Sequence, residues 1–423
     1  MKRIVSLLLL VLGLTATFAQ TPSTSADAKL SPAERSMAQA RKLVAKNPSD
    51  FEAYNALALA LSRRARETSD VTFYAQGEDA LQKSFAIAPG NLDGQRIRVW
   101  LLLGKHEFAA ALEAAKTLNK KMPDDVMLYG FLTDANVELG NYKDAETAAQ
   151  WMLDLRAGNM PGITRAAYLR ELFGDIDGSL ELMNMAYQSN PPSEVEDGAW
   201  IVTQMAHLNL TIGKIEQAEK LAQQALAMFP GYHYALGNLA RVRIQQKRYD
   251  EAVDLLKQRY QAAPHAENLF DLAQTLQLAG RKDEAQNAFA EFERKSLLET
   301  NRADNSNHEL IFYYADYANQ PAKALEVAKR EYARRHDVFT LDCYAWALHV
   351  NGENQEALKQ MGTALAVGIR DAKLFRHAGE IALATGDHVA AERYLQQSAE
   401  LNALGSEEAR IALAGLSQSV SAR

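Results

Sequence analysis

Cysteine is almost absent from this chain: Cys343 is the only one in 423 residues, so no internal disulfide framework can hold it together. Packing must do that work. Long apolar runs are missing as well. The run from Ile4 to Leu14 is shorter than the ~20 residues a membrane-spanning helix requires, and no later stretch qualifies. Basic charge is outweighed by acid, with 46 Lys and Arg against 53 Asp and Glu and a formal net charge of -7. No basic stripe interrupts that balance, which argues against a nucleic-acid partner. Familiar catalytic patterns fail in turn. His308-Glu309 is followed by Phe312 where a zinc-protease helix needs its second histidine. Gly104-Lys105 and Gly213-Lys214 lack the first glycine and the strand of a phosphate loop, and read as turn residues. Cys343 and His349 lie ~240° apart around a helix of 3.6 residues per turn, so with His377 they make no thiol site, and Cys343 reads as a buried, inert thiol. Asn209-Leu210-Thr211 fits a glycosylation acceptor but falls on an expected helix. No cofactor and no metal are expected.

The N-terminus carries an address. Met1-Lys2-Arg3 is a basic start, Ile4 to Leu14 an apolar centre, and Thr17-Phe18-Ala19 a small-x-small cleavage site ahead of Gln20. This predicts a signal peptide over 1–19, cleavage after Ala19, and a periplasmic or secreted mature chain. No cysteine follows the cleavage site to take a lipid anchor, and no membrane insertion is expected. Loss of Lys2 and Arg3 leaves 44 basic against 53 acidic residues, a net charge of -9.

What is present is a recurring trio. Gly174, Gly213, Gly280, Gly352 and Gly386 are followed five residues later by Ser179, Ala218, Ala285, Ala357 and Ala391. Seven residues before each stands Ala167, Ala206, Ala273, Ala345 or Gly379. Lys247 replaces the glycine once, between Ala240 and Ala252. Gly140 to Gly174 and Gly352 to Gly386 each span 34 residues, and Lys247 to Gly280 spans 33. A period of this length means a solenoid, which also explains how so long a chain avoids the limit of a single core. Each unit reads as a helical hairpin. The glycine ends helix A by accepting a left-handed conformation. Helix B then shows one stripe, as in Ala218, Leu221, Ala222, Ala225 and Leu226. Pro191, Pro230 and Pro264, each seventeen residues past a turn residue, stop it. The small residues mark where A and B touch.

On these residues the chain resembles the tetratricopeptide repeat family. The unit from Ala199 to Pro230 fits that pattern, as do units opening near His233, Ala266, Val338 and Ala372. Weaker units open near Met160 and Val126, an expanded one spans Asp93 to Pro123, and a degenerate one spans Asn305 to Asp337. Phe51 to Pro89 reads as a first repeat with an insertion between its helices. Asp337 to Trp346 and Arg376 to Ala384 also look like C-terminal repeats of secreted bacterial tetratricopeptide proteins. The resemblance implies an all-α, right-handed superhelical solenoid of about ten hairpins over 47–402. A leader over 20–30 precedes it. Ser31-Pro32-Ala33-Glu34 opens a capping helix over 31–46, and 403–423 supplies a C-terminal capping helix and tail. Glu293 to Asn307 is expected to be an extended helix end with a polar connector.

In such a stack the A helices line the inner surface. The repeat frame therefore nominates a concave, partner-binding groove: Trp200 and His207, Tyr234 and Arg241, Phe270 and Gln274, then Tyr313, Asp316 and Tyr317. Asp342, Trp346 and His349 follow, then Lys373, Arg376 and Glu380. Rigid rings with a few charges suit a peptide, and the groove is expected to centre on Trp346. Asp342 and Glu309 bring negative charge where chaperone C-termini would need cations. The leading expectation is a non-enzymatic scaffold for a protein or peptide partner, in the envelope or outside the cell. The alternative is a carbohydrate or small-ligand binder stacking on Trp346, Tyr313 and His349. A helical-repeat hydrolase, needing Asp316, Asp342 and Glu380 to converge, ranks last.

Overall fold

A computed structural model of the chain describes residues 30–401 and 406–421. The expected signal peptide and nearly all of the expected leader lie outside the described residues. Helix α1 (Pro32–Lys46) precedes ten hairpins. In order these are α2 (Phe51–Thr68) with α3 (Thr72–Ile87), α4 (Leu92–Gly104) with α5 (Phe108–Asn119), α6 (Val126–Glu138) with α7 (Tyr142–Leu155), and α8 (Met160–Leu172) with α9 (Ile176–Ser189). Then come α10 (Val195–Thr211) with α11 (Ile215–Met228), α12 (His233–Gln245) with α13 (Tyr249–Ala262), and α14 (Ala266–Leu278) with α15 (Lys282–Glu299). The last three are α16 (Asn307–Phe312) with α17 (Pro321–Tyr332), α18 (Val338–Val350) with α19 (Asn354–Leu365), and α20 (Ala372–Ala384) with α21 (His388–Leu401). Helix α22 (Ser406–Ser421) closes the series, and no strand occurs among the described residues. None of these helices is long and apolar enough to cross a membrane.

The local chemistry that writes this pattern is simple. Asp50, Asn91, Asp125, Asn159, Asp337 and Asp371 each cap the A helix that follows by accepting from first-turn N–H groups. Ser31 and Glu34 form a reciprocal capping box at α1. Each of the ten A-to-B turns contains one residue with positive φ: Ser69, His106, Gly140, Gly174, Gly213, Lys247, Gly280, Asn319, Gly352 or Gly386. Lys247 thus adopts the conformation of the glycines it replaces. In the second hairpin the turn residue is His106; Gly104, which the sequence suggested, is still helical. The small residues sit where A meets B. Ala206, Ala240, Ala273 and Ala345, and opposite them Ala218, Ala252 and Ala357, are fully buried. At Gly379 even a methyl group would lie 2.6 Å from Leu395 Cγ.

Two irregular units differ from the sequence expectation. The extra residues of the first hairpin form no insertion between its helices; they lengthen α2 and α3 to 18 and 16 residues around a tight turn. In the degenerate unit α16 is only six residues long and runs into a π-helical turn over Tyr313–Tyr317, closed by Ala318 N–H to Tyr313 O at 2.8 Å. The wider turn shifts the facing of Asp316 and Tyr317 relative to Tyr313.

Successive turns of the superhelix touch. The Arg66 guanidinium at the end of α2 pairs with Glu196 and, at 2.6 Å, with Asp197 on α10. His233 Nε2 approaches the Arg66 carbonyl at 3.2 Å. Further along, His336 N–H donates to Glu138 O at 3.2 Å, Val338 N–H to the Tyr142 hydroxyl at 2.8 Å, and Arg335 pairs with Glu138 at 3.2 Å. One apolar cluster runs across this seam, joining Val137, Tyr168 and Leu172 of the third and fourth hairpins to Leu341 and Leu348 of the ninth. Successive turns of the coil are therefore in direct contact at these places.

Glycine serves two purposes where turns meet. Gly174 has φ of 81°, and a Cβ there would stand 2.5 Å from Gly368 O on the next turn; Gly386 has φ of 84° and nothing within 4 Å. Gly386→Ala should cost only the left-handed penalty of about 1–2 kcal/mol. Gly174→Ala should cost distinctly more, because the neighbouring backbone must move. Urea unfolding of the two variants checks this, and equal losses would contradict direct contact between the turns.

Candidate functional site

Where the coil closes it leaves a cavity of about 500 Å³. Its walls come from the A helices of the fifth to seventh hairpins, from the π-helical turn and from α20, with Glu408 of α22 at one edge. His207, Arg241, Gln274, Asp316, Tyr317, Lys373 and Arg376 from the nominated inner face all line it. Leu210, Ile244 and Leu278 provide its apolar surface, and Asp271 and Asp371 add acid. The repeat frame pointed to the first set because those positions lie on A helices. It missed Asp371, a helix cap, and Glu408, on the closing helix, because neither occupies an inner-face position within a repeat.

The other nominated residues lie elsewhere. Trp346 is 5% exposed, so it forms core and not the floor of a groove. Its indole N–H donates to Asp316 at 2.8 Å, its ring stacks on His377 with centroids 4.1 Å apart, and the Arg376 guanidinium lies over it. Trp200 and Phe270 are buried too, Phe270 against Phe289 and Phe292. Tyr313 packs on the same two rings and its hydroxyl faces Glu293. Tyr234 is half-buried with its ring 3.9 Å from that of His233, and burial raises its phenol to about 12. His349 is held by Asn354 at 2.8 Å. Asp342 is buried, and Glu380 is taken by Arg376 at 2.6 Å. The physical reason is shared. Rings at inner-face positions bury more area against the next repeat and the facing turn than a solvated groove would allow.

A polar chain orients one wall of the cavity. His377 Nε2 faces an Arg376 N–H at 2.9 Å, and because a guanidinium can only donate, that nitrogen is the acceptor. Nδ1 then carries the proton and donates to Asp342 Oδ1 at 2.7 Å. Burial, with Arg376 and Lys373 nearby, holds the imidazole well below its usual range, which fits a neutral ring. Asp342, Asp316 and Glu380 are each engaged, with His377, Trp346 and Arg376 respectively. Cys343 is buried in α18, and burial pushes its thiol well up. Asn209 is also buried, with its amide donating to Met205 O.

Against known proteins, a tetratricopeptide repeat sequence model matches residues 210–267, from the end of α10 to the first residues of α14. Among solved structures, the human IFIT1 dimer with m7Gppp-AAAA superposes at TM-score 0.50, with 14% identity over 87% of this chain and 85% of that one. The type IV pilus biogenesis factor PilW gives 0.41 at 14% identity, over 50% of this chain and 93% of that one. A tetratricopeptide repeat protein from Parabacteroides merdae gives 0.36 at 15% identity, over 61% and 98%. No curated protein matches the chain by sequence. Ten consecutive hairpins, each with its left-handed turn residue and small-residue contact, define an α-solenoid of helix-turn-helix repeats. Over residues 210–267 the sequence matches the tetratricopeptide repeat, and the remaining hairpins share its helix-turn-helix fold.

Burial raises the Asp342 carboxyl to about 6 from 3.8, against the opposing pull of Lys373 and Arg376. A carboxyl raised on folding contributes stability that is fully present below the unfolded value and is lost as pH rises through about 6. Asp342→Asn keeps the acceptor for His377 and removes this titration. Relative to the parent, the variant should therefore gain about 1 kcal/mol between about pH 5 and about pH 8. Urea unfolding at both values checks it, and a difference that stays constant would contradict the assignment.

Proposed function

We propose that this protein is a non-enzymatic binding scaffold that acts in the cell envelope or outside the cell, and that its cavity takes a short segment of a protein partner. The fold belongs to a class built for protein interaction. The observation that carries the finer reading is the bounded cavity, which brings Arg241, Gln274, Tyr317 and Arg376 together from four separate hairpins. Its volume of about 500 Å³ falls within the range of pockets that enclose a drug-sized ligand. A chain terminus or a tight loop fits that space; the long extended peptide of an open groove does not. The carbohydrate reading loses Trp346, Tyr313 and His349 as platforms, leaving Tyr317 and the His207 imidazole as the nominated rings on the cavity wall.

The test uses photocrosslinking in the native host. A benzoylphenylalanine at Leu278, which is 52% exposed and lines the cavity, should capture a defined partner. Capture should be lost in the Arg241→Glu background, and the same probe at Val389, 81% exposed elsewhere, should capture nothing comparable. The probe-bearing chain should begin at Gln20 and be recovered from the periplasm or medium. Equal capture from both positions would remove the cavity reading, and a cytosolic chain beginning at Met1 would remove the location.

A further inference from the structure

Large apolar side chains left exposed one at a time are ordinary on a protein surface. Two pairs here are not isolated, because the members of each share one position in adjacent hairpins. Leu278 and Tyr317 each stand two residues before a turn residue, and both line the cavity. Trp151 and Met185 each stand eleven residues past one, on α7 and α9, and lie apart from it. They are 49% and 51% exposed. The same position carries Thr117 in the hairpin before and Gln224 in the one after, so the patch is two repeats wide.

Helix α7 buries Ala145, Ala148, Ala149 and Met152, and α9 buries Ile176, Ser179, Met183 and Ala186, which leaves Trp151 and Met185 on the opposite faces. Trp151 is nevertheless held, since its ring stacks on Tyr129 with centroids 5.8 Å apart and planes 21° from parallel. A large ring already fixed in place loses little entropy when a partner covers it, and tryptophan is among the side chains that carry most of an interface's energy. Charge then selects the partner. One and two turns from Trp151 on its own face of α7 stand Asp154, Thr147 and Asp144, and around Met185 on α9 stand Glu181, Gln188 and Asp177. All four carboxylates are exposed, and neither face carries lysine or arginine. Gln150 orients Asp154 by donating to it at 2.9 Å, and Lys214, at the start of α11, lies 4.0 Å from Asp177 at the edge of the patch. An apolar patch fringed in this way repels nucleic acid and anionic lipid and attracts a cationic chain.

We propose that the outer face of the third and fourth hairpins docks a cationic segment of a partner protein, with apolar side chains of that segment seated on Trp151 and Met185 and its lysines or arginines opposite Asp154 and Glu181. This surface is separate from the cavity, and neither reading depends on the other.

Intrinsic fluorescence reads this surface directly, because the other three tryptophans, Trp100, Trp200 and Trp346, are buried. The chain from Gln20 is titrated with a peptide of leucine and lysine in helical register, and acrylamide quenching follows Trp151. The peptide should shield Trp151 and bind at least about tenfold more tightly than counterparts with serine for leucine or glutamate for lysine. Met185→Ser should weaken it at least about threefold. Asp154→Lys with Glu181→Lys should transfer the preference to the glutamate counterpart. Neither variant should shift the unfolding midpoint appreciably, since each alters exposed side chains. Phosphatidylglycerol vesicles should leave the quenching unchanged. Equal shielding by either counterpart, indifference to Met185→Ser, or a preference that survives the double charge reversal overturns the proposal. Shielding by no peptide overturns it as well, and shielding by the vesicles replaces the protein partner with a membrane surface.

Discussion

Contact between one turn of the coil and the next is the constraint on which the rest of this structure depends. A row of helical hairpins is stable through neighbour contacts alone and needs nothing from distant repeats. This chain adds a second kind of contact, between residues nearly two hundred positions apart, such as Tyr142 with Val338 and Gly174 with Gly368. These contacts hold successive turns of the coil against one another. A cavity lies where the fifth to seventh hairpins face the tenth, while the inner-face aromatics pack within and between neighbouring hairpins, Trp346 on His377 and Phe270 on Phe289.

The groups chosen for the seam show how that closure is stabilised. Glu138 is pushed up to about 7 by burial and by the nearby Asp337, with the Arg335 guanidinium opposing both. Asp337 itself is held below its usual range despite burial, because Arg335 lies beside it and the Thr340 hydroxyl and N–H donate to it. Buried charge of this kind is a poor source of net stability but fixes one register, since any slip leaves an unpaired charge behind. The apolar cluster around Val137, Leu172 and Leu341 supplies the attraction; the polar seam supplies the alignment.

The repeat was legible in the sequence because its determinants are local. A left-handed turn residue, a small residue on either side and a capping Asp or Asn all act within one hairpin. The inner-face frame also put Arg241, Tyr317 and Arg376 on a short list for a reason that survives, since A helices do line the cavity. What could not be read was the closure. It depends on the small rotation between successive repeats, added over about six of them, and no residue in a single unit encodes that sum. Trp346 shows the cost. Its position marks it as inward-facing, but only the stacking of His377 and the acceptor Asp316 reveal that inward means buried. The π-helical turn was hidden for another reason, because the degenerate unit lacks the glycine that anchors the frame.

Docking of successive turns of the coil is tested most directly by amide exchange at two positions. His336 lies in a connector, and Val338 is the first residue of α18, where no intrahelical acceptor exists for its N–H. Their hydrogen bonds run across the seam, to Glu138 O and the Tyr142 hydroxyl. Docked turns predict slow exchange at both amides, with Val338 becoming selectively faster in Tyr142→Phe. Exchange at the rate of an exposed loop, unchanged by Tyr142→Phe, would contradict the docking of the turns.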